Sequence, residues 1–175
     1  SKVSPVAAGN YFARLVQVVD CGLQTQRPFK GEEKPPAHEI MLTYELVTEF
    51  MKDEDGKDLE DSPRWISEIM PIYSLEADRA KSTKRITALD PDLVHGGNLA
   101  EMAGLPCTVT VVSNVSKKDP SKVYTDVGNV TPPMKGVPIA ELKNEPRIFD
   151  MDEPDLEVFE TFPDWVKEKL KSNLE

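Results

Sequence analysis

The chain has 175 residues and carries 21 Lys and Arg against 31 Asp and Glu, for a net charge of −10. That length accommodates one domain with an appendage, and the acidic balance argues against a protein that coats polyanions by charge alone. No run of about eighteen apolar residues and no basic-then-apolar leader is present, so neither a membrane span nor a signal peptide is expected. Cys21 and Cys107 each sit inside an apolar run, which suits small buried hydrophobes in a reducing cytoplasm.

In chain order, a first strand is expected from Tyr11 to Thr25. Gly22 interrupts its pattern as a bulge does, and such a bend is what a small closed barrel needs. Arg14 stands among apolar neighbours there, either as a surface charge or as a groove contact. The second strand, "HEIMLTYELV", alternates Ile40, Leu42, Tyr44 and Leu46 with Glu39, Met41, Thr43 and Glu45, which assigns Tyr44 to a core face. Asp55-Gly56 reverses the chain. A third strand runs from Arg64 to Leu75, with Pro71 suited to an edge.

The stretch "EADRAKSTKRITALDPD" reads as polar and basic in its centre. In "GGNLAEMAGLP", Asn98 can cap a short helix that Gly104 and Pro106 stop. "CTVTVVSNV" and "VYTDVGNV" form strands four and five around the turn "SKKDPSK". Three strands, a helix and two strands is the order of a five-stranded OB barrel, so the expected class is all-β with a minor helix between strands 3 and 4. An SH3-like barrel lacks that helix, and a sandwich wants about seven strands.

Residues 1–136 form the expected OB-fold domain, and 137–175 an acidic C-terminal extension. The extension holds 5 Lys and Arg against 11 Asp and Glu, a balance of −6, leaving 16 against 20 for the rest. It is interrupted by prolines and closes on a helix signal. Thr161 and Asp164 match a capping box, Pro163 opens the first turn, and Phe162, Val166, Leu170 and Leu174 repeat every four residues with Trp165 beside them. That stripe has to dock, on its own barrel or on another protein.

No catalytic constellation stands out, and the expectation is a protein that is not an enzyme and needs no metal or cofactor. His38 and His95 lack ligand-spaced companions, and neither cysteine has a base and an orienting partner beside it. "DEDGKDLE" resembles a calcium loop only loosely, since the first and last ligand places fall on Met51 and Ser62. "HGGN" lacks the Lys-Ser/Thr ending of a phosphate loop.

What remains is a pattern for binding a single strand, which needs flat side chains for stacking and cations that follow the phosphates. Phe29, Lys30 and Lys34 lie in the loop joining strands one and two. Trp65 and Tyr73 bracket strand three, and Arg79, Lys81, Lys84 and Arg85 follow it. Lys117, Lys118, Lys122 and Tyr124 mark the loop joining strands four and five. In an OB barrel these loops border one face, so the three basic groups are expected to converge on one groove. Trp65 and Tyr73 share a register with Ile69, which leaves a core role open for both.

The phrases "GNYFARLVQVVDCGLQTQRPFKGEEKPPAHEIMLTYEL", "DSPRWISEIMPIYSL", "NLAEMAGLPCTVTV" and "EVFETFPDWVKEKLKSNLE", in this order, resemble the single-stranded DNA-binding proteins of tailed bacteriophages. The resemblance runs from Gly9 to the end. It implies an OB fold and a role in DNA replication or recombination in the cytoplasm of an infected bacterial host. The expected partners are single-stranded DNA and, through the acidic extension, basic surfaces of replication or recombination proteins, with no membrane; a homo-oligomer stays open. The alternative is an OB-fold protein–protein adaptor or structural phage protein that binds no nucleic acid.

Overall fold

The computed structural model describes residues 4–175. Five strands, β1 (Gly9–Gln24), β2 (Ala37–Lys52), β3 (Asp58–Pro71), β4 (Pro106–Val115) and β5 (Val123–Thr131), form a mostly antiparallel, curled half-barrel sheet in the order β3-β2-β1-β4-β5. One edge of β1 pairs with β2. The other pairs with β4 over Gly9–Arg14 and then, in parallel, with a short strand β6 (Arg147–Phe149) over Gln17–Val19. The C-terminal extension therefore supplies a strand to the sheet.

The β1–β2 register slips at Leu15/Gln17 and again at Asp20/Gly22. Each slip adds local twist, which is how a long strand turns a corner. Gly22 has φ +69°, and a Cβ there would overlap the side chain of Asn173. Backbone conformation and the approach of the chain's end thus both require glycine at this position.

The inner face follows the alternation in β2. Leu42, Tyr44 and Leu46 are fully buried with Leu15, Val109 and Met102, and Ile86 and Leu89 close over them. Each such aliphatic side chain contributes roughly 1.5–3 kcal/mol on leaving water. Residues on the opposite face, Val19, Cys21 and Met41, form a second cluster with Phe149, Phe162, Val166 and Leu170 of the extension.

Helical structure lies between β3 and β4, but its extent differs from the sequence expectation. Asn98 does accept the Ala100 N–H (3.2 Å), but it opens only a four-residue 3-10 turn, Leu99–Met102. The α-helix of this segment is α1 (Lys81–Leu89), inside the stretch read as polar and basic. Its buried side carries Ser82 and Arg85 along with Ile86 and Leu89, so an apolar count understates it. Strand β3 starts at Asp58 rather than Arg64, because the polar run Asp58–Ser62 continues the hairpin.

The extension also contains α2 (Leu156–Glu160) and α3 (Asp164–Lys171). The capping box expected at Thr161 and Asp164 does not form. Pro163 stands at the N-cap of α3 without a side-chain bond, and it is Asp155 that caps α2. Phe162, Val166 and Leu170 are buried on the chain's own sheet, while Leu174 stays exposed.

Candidate nucleic-acid interface

The basic residues after β3 divide between the surface and the interior. Arg79 and Lys84 are exposed. Arg85 is 3 % exposed, with Nε 2.9 Å from Glu68 Oε2 and Nη2 3.2 Å from Oε1. Tyr44 donates its hydroxyl to the same carboxylate at 2.7 Å, and Lys81 Nζ reaches it at 3.1 Å from the rim. Burial first, and then the charge of Glu68, hold the Tyr44 hydroxyl well above its ordinary pKa. Arg85 is thus a structural counter-ion inside the sheet, not a groove cation, since two charges taken from water need each other as partners.

Lys81, half of it in solvent, stands over a cleft of about 550 Å³ between β3 and the β4–β5 hairpin. Ser67, Ile69, Val112, Asn114, Asp126 and Trp165 line it. The exposed residues Lys117, Lys118 and Lys122 crown the turn of the same hairpin, and Tyr124, half exposed, follows on β5. Tyr73 is exposed just past β3, its N–H bonded to Ser82 Oγ of α1 (3.1 Å).

The third basic group lies elsewhere. In the β1–β2 loop, Lys30 and Lys34 fold back over the Phe29 ring, 5.4 and 4.9 Å from its centroid, and a Phe29–Glu32 bridge closes the tip. The loop caps the Gln24 end of β1. The β4–β5 turn extends past the Gly9 end, where Gly9 pairs with Val111. No residue of the β1–β2 loop lines the β3–β5 cleft. Of the three groups expected to converge, Lys81 lines this cleft; the β4–β5 hairpin borders it through Val112, Asn114 and Asp126, while Lys117, Lys118, Lys122 and Tyr124 lie outside the lining, and Phe29, Lys30 and Lys34 cap the other end of β1.

Trp65 is half-buried on the outer face of β3. Its Nε1–H donates to Glu45 Oε1 (3.0 Å), and the Arg147 guanidinium lies 5.3 Å from its ring centroid. Glu45, fully buried, also accepts from the Lys143 N–H (2.7 Å) and from Asn144 Nδ2 (2.6 Å). Arg14 completes this clasp. Its guanidinium donates to the carbonyls of Gly104, Ile139 and Ala140, each at 2.8 Å. The lone cation of the first strand is neither a free surface charge nor a groove contact; it holds the extension.

Trp165 was not among the residues singled out from sequence for binding. Its signal was there: a large aromatic beside the stripe that docks α3, and so free to face something else. Burial pushes the thiols of Cys21 and Cys107 up to about 12, which leaves both as unreactive hydrophobes. Among the described residues no three His, Cys, Asp or Glu group in a way that could hold a metal ion, and no helix is long and apolar enough to cross a membrane. This chain matches no family model, no curated protein and no solved structure.

Proposed function

We propose that this protein binds and protects single-stranded DNA with little sequence preference, without catalysing a reaction, in phage DNA replication or recombination. The sheet is read as an OB-type barrel on three grounds: its strand order, β1 pairing with both β2 and β4, and the seam left between β3 and β5. The observation that carries the reading is the cleft along that seam. It is open to solvent, has Lys81 at its rim, and leads toward the three lysines of the β4–β5 turn. Cations in file beside apolar and aromatic side chains are what sequence-tolerant capture of a strand requires. A duplex presents its bases stacked and offers them no access.

The test is a salt-titrated shift assay with single- and double-stranded DNA of equal length. The expected result is retention of strands of twenty or more nucleotides at low ionic strength, lost as salt rises, with duplex bound more weakly. Absence of any shift at low salt contradicts the reading.

One observation favours the protein-adaptor alternative. The outer face of β1, β2 and β3 is covered by the chain's own extension, so the sheet surface left for a ligand is reduced. An adaptor ignores oligonucleotides at every salt concentration.

A further inference from the structure

The chain contains two tryptophans, and both line one cavity. Trp65 comes from the outer face of β3, and Trp165 comes from the first turn of α3. The space they border is about 240 Å³. At about 30 Å³ per water this is room for about eight waters, enough for a planar heterocycle. Ser67 and Trp165 also line the β3–β5 cleft, so cavity and cleft meet there.

Docking of α3 does not explain Trp165. Phe162, Val166 and Leu170 already fill the contact with Met41 and Val19, and the indole of Trp165 stays 55 % exposed. Trp65, by contrast, is fixed by its hydrogen bond to Glu45 and by Arg147. One wall is therefore rigid and the other reaches into solvent. Gln17, 5 % exposed, lies among the lining residues. Its Nε2 donates to Thr43 Oγ1 (2.9 Å), and its Oε1 has no partner among the described residues.

We infer that this cavity takes a single unstacked nucleobase between Trp65 and Trp165, while the neighbouring nucleotides follow the β3–β5 cleft past Lys81. The inference rests on the single-strand reading above and deepens it by making the extension part of the site. Stacking suits any base, because each has a π-face. Each base also carries an N–H on its Watson–Crick edge that a small shift of the Gln17 amide lets Oε1 accept. The one charged residue of the cavity lining, Arg147, is engaged with the Trp65 ring, and the cleft beyond sets Lys81 against Glu68 and Asp126. Ring contact is thus what the cavity itself offers, and phosphate contact falls to the hairpin lysines outside it.

The test uses the full chain, whose intrinsic tryptophan emission reports this cavity and nothing else. Titration with a twenty-nucleotide oligo-dT at low ionic strength is expected to quench emission in the single-tryptophan variants Trp65→Phe and Trp165→Phe alike. Trp165→Ala is expected to weaken binding on the order of tenfold or more with an unchanged melting temperature. Suppose the strand is retained in a shift assay, neither single-tryptophan variant is quenched, and Trp165→Ala binds as the parent does. The cavity is then not the base site, although the single-strand reading stands. No retention by either method overturns both.

Discussion

The inner face of the sheet buries Leu15, Leu42, Tyr44 and Leu46 under α1, whereas the outer face mixes Val19, Cys21 and Met41 with Gln17, Thr43 and Glu45 and lies under the extension. Inside, one buried carboxylate, Glu68, is matched by Arg85, Lys81 and Tyr44. Outside, Glu45 is matched by N–H donors from Trp65, Lys143 and Asn144, and Arg14 by backbone carbonyls. The inner layer is held by packing with a local ion cluster. The outer layer adds to its apolar cluster polar clasps between residues as far apart as 150 positions. A face clasped in this way can keep a cavity open beside it, which a close-packed interior does not do.

Perturbing each layer sharpens this contrast. The largest effect is expected from Arg85→Met, which leaves Glu68 buried with Lys81 and Tyr44 alone. The cost is about 3–5 kcal/mol, a fall in Tm on the order of 10 °C by calorimetry, and most of it is recovered by adding Glu68→Leu together with Tyr44→Phe, which removes the hydroxyl that Glu68 accepts. Leu170→Ala in the outer layer is expected to cost about 2–3 kcal/mol and to raise hydrogen exchange in β6 and α3 while β2 stays protected. Arg14→Ala, which frees three carbonyls of the clasp, is expected to cost about 1.5–3 kcal/mol in urea unfolding. Lys171→Ala, at an exposed i,i+3 ion pair, should stay within about 0.5 kcal/mol.

The two thiols add a pH dependence. Each is held up to about 12 in the folded chain against an ordinary value of 9.0. Below pH 9 both states keep the protons and stability is undiminished. Between about 9 and 12 only the unfolded chain releases them, so stability measured by urea titration is expected to fall with rising pH across that window.

Much of the sheet was legible because period-two alternation in β2 and β-branched runs in β4 and β5 report directly on a half-buried pleat. The bend at Gly22 was legible for the same reason, as a break in a regular pattern. Helix α1 was hidden because its buried side includes a serine, a threonine and an arginine whose partners lie on β3 and in the following turn. Strand β6 was hidden because three residues carry no period, and its partner strand is distant in the chain. For the site, composition located the cations but not their neighbours. Nothing in "KSTKRITAL" separates Lys84, which faces water, from Arg85, which faces Glu68. Whether the loops share a groove depends on which end of β1 each one caps, and the strand register decides that.

Alkylation of Cys21 and Cys107 in the folded protein, followed by mass spectrometry, tests most directly whether the extension forms a distinct outer layer. Cys21 lies under the extension and Cys107 in the inner core. The expected result is that both are protected in native buffer, and that Leu170→Ala accelerates labelling of Cys21 on the order of tenfold while leaving Cys107 unchanged. Free labelling of Cys21 in the parent chain, or equal acceleration of both thiols in the variant, contradicts the account.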